Sequence, residues 1–113
     1  MAAVIRLENG RQLSSRVHQL SITGGLLDHT AYLEERTWAE LTLYLSSGPV
    51  RTTAEMLFPM RAPLSYRQPF RFTSVGTEEL HAVDREVNEW LKRSVTPRPG
   101  DPGWRLPRYD FET

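Results

Sequence analysis

The stretch Val4–Gly25, "VIRLENGRQLSSRVHQLSITGG", decides the fold class. Apolar and polar residues alternate on both sides of Asn9-Gly10, and alternation with a period of two predicts strands. Asn-Gly between two such runs indicates a β-hairpin, because both turn positions favour positive φ. We predict that the second strand runs on to Ser21 and stops at Gly24-Gly25, where the backbone must turn or let another group approach closely.

The same alternation returns further along the chain. A short strand is predicted to begin at Leu26-Leu27, and a second hairpin joins Trp38–Leu45 to Val50–Phe58 through a turn at residues 46–49. In that hairpin the alternation places Phe58 on the same face as Val50. A last strand is predicted over Tyr66–Val75.

The period then changes from strand to helix. Thr77 is a suitable N-cap, with acidic residues directly after it. Apolar residues follow at three- and four-residue spacing, which predicts one amphipathic helix. The stripe consists of Leu80, Val83, Val87, Trp90 and Leu91.

A proline-rich tail follows the helix. Four of the eight prolines lie after Ser94, together with two glycines, so we predict an irregular tail over residues 94–113 beside a barrel-plus-helix domain over residues 1–93. The tail is either disordered or draped in extended form over the barrel. Trp104, Tyr109 and Phe111 are candidate anchors, on this protein or on another.

This order of elements predicts a mainly β protein in which a short antiparallel sheet curls or closes, since open sheet edges are a liability. The helix would cover one opening or face of the barrel. No apolar run approaches the length of about eighteen residues that a membrane helix needs, so no membrane insertion is expected. The N-terminus lacks the apolar region of a secretory signal, and we expect a soluble, cytoplasmic protein.

Composition narrows the function further. Fourteen basic residues balance fourteen acidic ones, and there is no cysteine. The balanced charge argues against a DNA-binding protein and against a barrel that binds single-stranded nucleic acid. The absence of cysteine excludes disulfides and thiolate chemistry. No hydrolase, metalloprotease or phosphate-loop motif is present, so we predict a non-enzyme without metal or cofactor. His18, His29 and His81 lack ligand spacing and are expected to be polar surface residues.

The basic residues are nevertheless unevenly distributed along the chain. Arg6, Arg11 and Arg16 lie on the first hairpin, which leads directly into Ser21 and Gly24. Arginine offers forked donors to phosphate and to guanine edges, while a hydroxyl and glycine amides suit anionic oxygens. These arginines are therefore possible phosphate or guanine contacts. The alternative, a solvated face of an edge hairpin, stays open.

The order of elements and several short motifs together resemble the PilZ domain family. The hairpin with its Asn-Gly turn is followed by a stretch of the form Asp/Asn-x-Ser-x-x-Gly-Gly, here residues 19–25. Two alternating strands, a strand carrying "FRF" at residues 70–72 and an amphipathic helix complete the match over roughly residues 3–93. The resemblance implies a six-stranded antiparallel barrel with one C-terminal helix.

The resemblance also implies a function in bacterial signalling. Many PilZ domains bind the second messenger cyclic di-GMP through an Arg-x-x-x-Arg motif before the first strand and through the Asp/Asn-x-Ser-x-x-Gly motif. Other members bind no nucleotide and act through partner proteins in type IV pilus control and motility. On this chain the second motif falls on Gln19, Ser21, Gly24 and the adjacent Gly25.

The sequence departs from that pattern twice. Gln19 stands where Asp or Asn is expected, and the first strand begins almost at Met1, which leaves no room for the arginine motif. Arg67 and Arg71 have the correct spacing but lie in the last strand, and we interpret the pair as a coincidence. We therefore expect a PilZ-type regulatory domain with weak or no direct nucleotide binding and with a protein partner. The alternative is a genuine cyclic di-GMP receptor with a variant site around Gln19, Ser21 and Gly24.

Overall fold

The first hairpin forms as predicted, although its turn differs from the expected one. A computed structural model describes residues 1–94 and 108–110, and in it β1 (Ala2–Leu7) pairs antiparallel with β2 (Gln12–Ser21). Gly10 has a φ of 85°, whereas Asn9 does not have positive φ. The amide of Gly10 donates to the carbonyl of Leu7 at 2.9 Å, and the amide of Leu7 donates to the carbonyl of Arg11 at 2.9 Å. Only one position with positive φ is needed, as in a three-residue hairpin loop.

Six strands close into an antiparallel barrel, which confirms the predicted fold class. Their order around the barrel is β1, β4, β5, β7, β3 and β2, and the pairing of β2 with β1 closes the circle. A two-residue strand, β6, pairs with β7. The strands after β2 are β3 (Gly24–His29), β4 (Trp38–Leu45), β5 (Gly48–Met56), β6 (Met60–Arg61) and β7 (Tyr66–Ser74).

Several boundaries differ from the predicted ones, and β5 begins at Gly48 and not at Val50. Gly24-Gly25 does not form the turn after β2 but begins β3, and the turn itself is Ile22-Thr23. Phe58, which the alternation placed on the buried face of β5, lies beyond the end of that strand and is exposed. Alternation thus stops predicting burial where the pairing that enforces it ends.

The core consists of inward-facing strand residues together with Val83 and Val87 of the helix α1 (Thr77–Ser94), and Leu91 of the predicted stripe packs against it. Removing such large apolar side chains from water is the main favourable term in folding. The fully buried apolar side chains of large volume are Ile5, Leu20, Leu27, Leu41, Leu43, Met56, Val83 and Val87.

A buried carboxylate ties α1 to the turn between β4 and β5. Glu86 accepts hydrogen bonds from the Ser46 backbone amide at 2.6 Å, from the Ser46 hydroxyl at 2.8 Å and from the Trp90 indole at 2.8 Å. A buried charge is tolerated when it is fully hydrogen-bonded. This contact sets the helix over the end of the barrel where β4 ends and β5 begins.

Part of the predicted tail joins the sheet. Residues 108–110 form β8 (Arg108–Asp110), which pairs antiparallel with β2 and also contacts α1. The prediction of a wholly irregular tail is therefore wrong for these three residues, and the alternative of an extended segment on the barrel describes them. The candidate anchors Trp104 and Phe111 lie outside the described residues. The domain boundary after residue 93 stays a prediction.

Candidate functional site: the turn between β2 and β3

The turn between β2 and β3 uses the Ser21 hydroxyl for its own structure. The Thr23 amide donates to Ser21 Oγ at 3.3 Å, and Ser21 Oγ donates to the carbonyl of Gly24 at 3.3 Å. The hydroxyls of Ser21 and Thr23 are 3.0 Å apart. A serine that bonds the backbone two or three residues on is typical of a turn. The hydroxyl predicted to bind a ligand is thus already engaged.

Both glycines are required by the close approach of other strands. A Cβ at Gly24 would lie 2.1 Å from the carbonyl oxygen of Phe70 in β7, and the residue has a φ of 153°. A Cβ at Gly25 would lie 2.1 Å from the carbonyl oxygen of Gln19 in β2. The group that approaches these glycines closely is therefore the protein's own backbone on either side of β3.

A bulge at His18 decides which way Gln19 and Ser21 face. Val17 pairs with Leu27 and Gln19 with Leu26, so His18 is the extra residue in β2. A bulge resets the alternation of faces. Leu20 consequently joins the core, while Gln19 and Ser21 lie on the outer face and are half-buried.

The structure does not bring the three hairpin arginines to this turn. Arg16, opposite Asp28, lies five residues before Ser21 on the same strand, or roughly 17 Å at about 3.3 Å per residue. Arg6 lies opposite Gln12, still further from the turn, and Arg11 belongs to the loop at the far end of β2. Their contact with a ligand at this turn stays a prediction, and the spacing does not favour it.

Arg6 instead lines a groove on another part of the barrel. The groove has a volume of about 630 Å³ and runs between the outer face of β1, β4 and β5 and the first turns of α1. Arg6 and Arg51 face it together with Glu40, Glu78 and Glu79. Because both signs of charge are mixed, the groove offers no concentrated field for an anion.

Arg71 is the basic residue that sequence reasoning set aside and that the fold places beside the turn. Cross-strand pairing puts Ser21, Gly24, Arg71 and Glu55 in one row across β2, β3, β7 and β5. The Arg71 Nε donates to a Glu55 carboxylate oxygen at 2.6 Å, and the arginine side chain is mostly exposed. The pairing of β3 with β7 creates this proximity, so only a correct strand order could have predicted it.

A buried polar network lies at the other end of the barrel, and the prediction that His29 is a surface residue is wrong. Gln68 donates through Nε2 to the carbonyls of Leu33 and Leu57 at 2.8 and 2.9 Å, which leaves its Oε1 as an acceptor. His29 Nε2 lies 2.9 Å from that oxygen and donates to it. Its Nδ1 lies 3.1 Å from Ser15 Oγ. The Ser15 hydroxyl donates to the Asp28 carbonyl at 3.2 Å, and its one proton serves either that carbonyl or the Nδ1 of the neutral ring.

Burial lowers the pKa of His29, against smaller raising effects from Gln68 and Asp28. The network therefore holds a neutral imidazole that ties β2, β3 and β7 to the two loops after β3 and β5. Within residues 1–94 and 108–110 we find no group of three or more acidic or histidine side chains that could hold a metal ion. The helix within that described part of the chain is too short or too polar to span a bilayer.

The comparisons with known proteins concern the fold. No protein-family model and no curated protein matches this chain. Among solved structures, the PilZ domain with c-di-GMP of YcgR from Escherichia coli is similar, with a TM-score of 0.66 and 15% sequence identity. The similarity covers 82% of this chain and 86% of that chain. The closed six-stranded barrel with its C-terminal helix is therefore a PilZ-like fold.

Proposed function

We propose that this chain is a PilZ-type regulatory domain of bacterial cyclic di-GMP signalling that binds the nucleotide weakly or not at all. It acts through a protein partner, in the cytoplasm, without catalysis, and its output includes motility. The shared fold with a domain solved with c-di-GMP supports the signalling class. The single observation that supports weak binding is the structure of the turn. There Ser21, Gly24 and Gly25 contact the protein's own backbone, and the hairpin arginines lie elsewhere.

The energetic consequence follows from the guanidinium contacts that the hairpin arginines do not make at this turn. A charge-assisted hydrogen bond contributes about 1.5–3 kcal/mol, so a site without two such contacts binds the nucleotide roughly a hundredfold to ten-thousandfold more weakly. Arg71 could restore one such contact only by giving up or sharing its ion pair with Glu55. A ligand with two phosphates would therefore find few free donors at this turn.

A protein partner is supported by exposed hydrophobic side chains at the end of the barrel opposite α1. Tyr32 belongs to the loop of residues 30–37, Leu64 belongs to the connection of residues 57–65 that includes β6, and Leu64 is 92% exposed. Phe58, in the same connection, is 65% exposed. Concentration of such residues at one end of a small domain is typical of an interaction surface.

Isothermal titration of cyclic di-GMP into the purified chain, with GTP as the control ligand, tests this proposal. We expect no saturable heat at roughly 1 mM ligand, which corresponds to a binding free energy weaker than about 4 kcal/mol. A micromolar dissociation constant would contradict the proposal.

The second candidate function is a cyclic di-GMP receptor with a variant site around Gln19, Ser21 and Gly24. The row that joins Ser21 to Arg71 is the observation that favours it. In that case Arg71→Ala should weaken binding, whereas Arg51→Ala, an exposed arginine outside the row, should leave it unchanged. If both variants behave alike, the row does not form the site.

A further inference from the structure

The second half of β2 has a barrel neighbour on one edge only. β1 pairs with β2 from Gln12 to Arg16, and the Val17 amide donates to the carbonyl of Met1 at 2.8 Å. Beyond that point β3 continues on one edge of β2 through Ser21. The other edge would present unpaired backbone groups, and such an edge is a template for another strand.

The chain's own C-terminal strand covers this edge. Register places Gln19 opposite Asp110, Leu20 opposite Tyr109 and Ser21 opposite Arg108. Among the described residues β8 pairs with β2 alone, whereas each of the six barrel strands pairs with at least two neighbours. A strand that is hydrogen-bonded along one edge opens at a lower free-energy cost than a strand that is hydrogen-bonded along both, so β8 should open before any barrel strand.

We propose that the edge of β2 at Gln19–Ser21 is a strand-addition site for an extended segment of a protein partner, and that β8 occupies it in cis and competes with that segment. This inference rests on the proposed action through a protein partner and adds a second contact surface to the exposed hydrophobic side chains at the end of the barrel opposite α1. An extended segment is already seated on this edge, which shows that the crevice between β2 and α1 admits one.

The edge also defines the kind of segment that fits. Main-chain hydrogen bonds supply the affinity in strand addition, and alternate side chains supply the specificity. A residue opposite Leu20 shares the face of a fully buried side chain, whereas residues opposite Gln19 and Ser21 share the outer face. The partner segment should therefore read polar, hydrophobic, polar, which is the pattern of Arg108-Tyr109-Asp110 itself.

The full-length chain allows a direct test. Tyr109→Pro removes a backbone donor in the middle of β8 and disfavours its pairing. The probe is a fluorescent peptide with the sequence of residues 105–113, followed by anisotropy, and Tyr109→Phe, which keeps the backbone donor, is the matched control. We expect the peptide to bind the Tyr109→Pro chain at least about tenfold more tightly than the wild-type or Tyr109→Phe chain. A peptide that carries the same proline should not bind.

Other outcomes overturn the proposal. If no chain binds the peptide, the edge does not accept a strand in trans, and if all bind it equally, β8 does not compete. Dimers of the Tyr109→Pro chain in light scattering, dispersed by the peptide, would assign the edge to a second copy instead of a partner. Circular dichroism checks that this variant folds.

Hydrogen exchange on the wild-type chain supplies a second measurement that needs no variant. We expect amides of β8 to exchange at least about a hundredfold faster than those that join β2 to β3. Equal protection would mean that β8 opens only on global unfolding, and the proposal would fail. Neither result depends on nucleotide binding, so failure here and failure of the cyclic di-GMP proposal can be told apart.

Discussion

Substitution of Gly24 by alanine tests whether this glycine is required by the fold or by a ligand. The new Cβ would lie 2.1 Å from the Phe70 carbonyl oxygen and 2.8 Å from the Arg71 Cα, both backbone atoms. A non-glycine residue with this φ costs about 1–3 kcal/mol, and overpacking against a rigid neighbour adds about 1–3 kcal/mol. We therefore expect Gly24→Ala to lose about 2–6 kcal/mol of unfolding free energy.

Gly48→Ala is the matched control for this prediction. Gly48 has a φ of 127° but no atom within 4 Å of an added Cβ, so it carries the conformational cost without the clash. Urea unfolding of both variants should show Gly24→Ala less stable by about 1–3 kcal/mol, or roughly 1 M in the midpoint. Equal midpoints would refute the reasoning, because the strand would then have room for a side chain. Nucleotide titrations of Gly24→Ala are interpretable only beside this measurement.

Three further predictions concern polar contacts. Because burial lowers the pKa of His29, the folded state binds fewer protons than the unfolded state as the pH drops below the ordinary histidine value of 6.5. The unfolding free energy should therefore fall over that range. Urea unfolding at several pH values should show a weaker pH dependence of the unfolding free energy for His29→Gln than for the wild-type chain. Glu86→Gln turns an amide donor toward groups that are themselves donors and should lower the unfolding free energy by about 1.5–3 kcal/mol in urea unfolding. Ser46→Ala keeps the backbone contact and should lower it less. Equal losses would contradict the role of Glu86 in holding the helix. Glu55→Gln weakens the ion pair of Arg71 and should leave the cyclic di-GMP titration flat, whereas a gain of saturable heat would favour the variant receptor.

Period and turn chemistry in the sequence were sufficient to predict most of the barrel. Trp38–Leu45 begins and ends where alternation predicted. The helix α1 begins at Thr77, but the Gly76 carbonyl accepts its first hydrogen bond, so Thr77 is the first helical residue and not the predicted N-cap. Both signals are local: a strand needs two faces, and a helix needs one stripe and a capped end. The turn at Asn9-Gly10 shows the limit of such signals, since the hairpin formed with a different turn geometry.

The site was harder to predict because it depends on contacts between distant segments. The spacing of Arg67 and Arg71 was visible, but only the pairing of β7 with β3 places Arg71 next to Gly24. The bulge at His18 has no clear sequence signal, although it decides that Ser21 faces outward. Buried polar groups such as His29 resemble surface residues in a sequence, because their partners lie on other strands and loops.

The outer face of the sheet and the edge of β2 can bind different ligands at the same turn. A small anion would lie on the outer face, along the row from Ser21 to Arg71, while a strand adds in the plane of the sheet beside Gln19–Ser21. The face requires side-chain donors, and those donors are engaged by the turn and by Glu55. The edge requires only backbone groups, which every residue except proline supplies. We therefore expect weak nucleotide binding at the face of this barrel to be compatible with peptide binding at the adjacent edge.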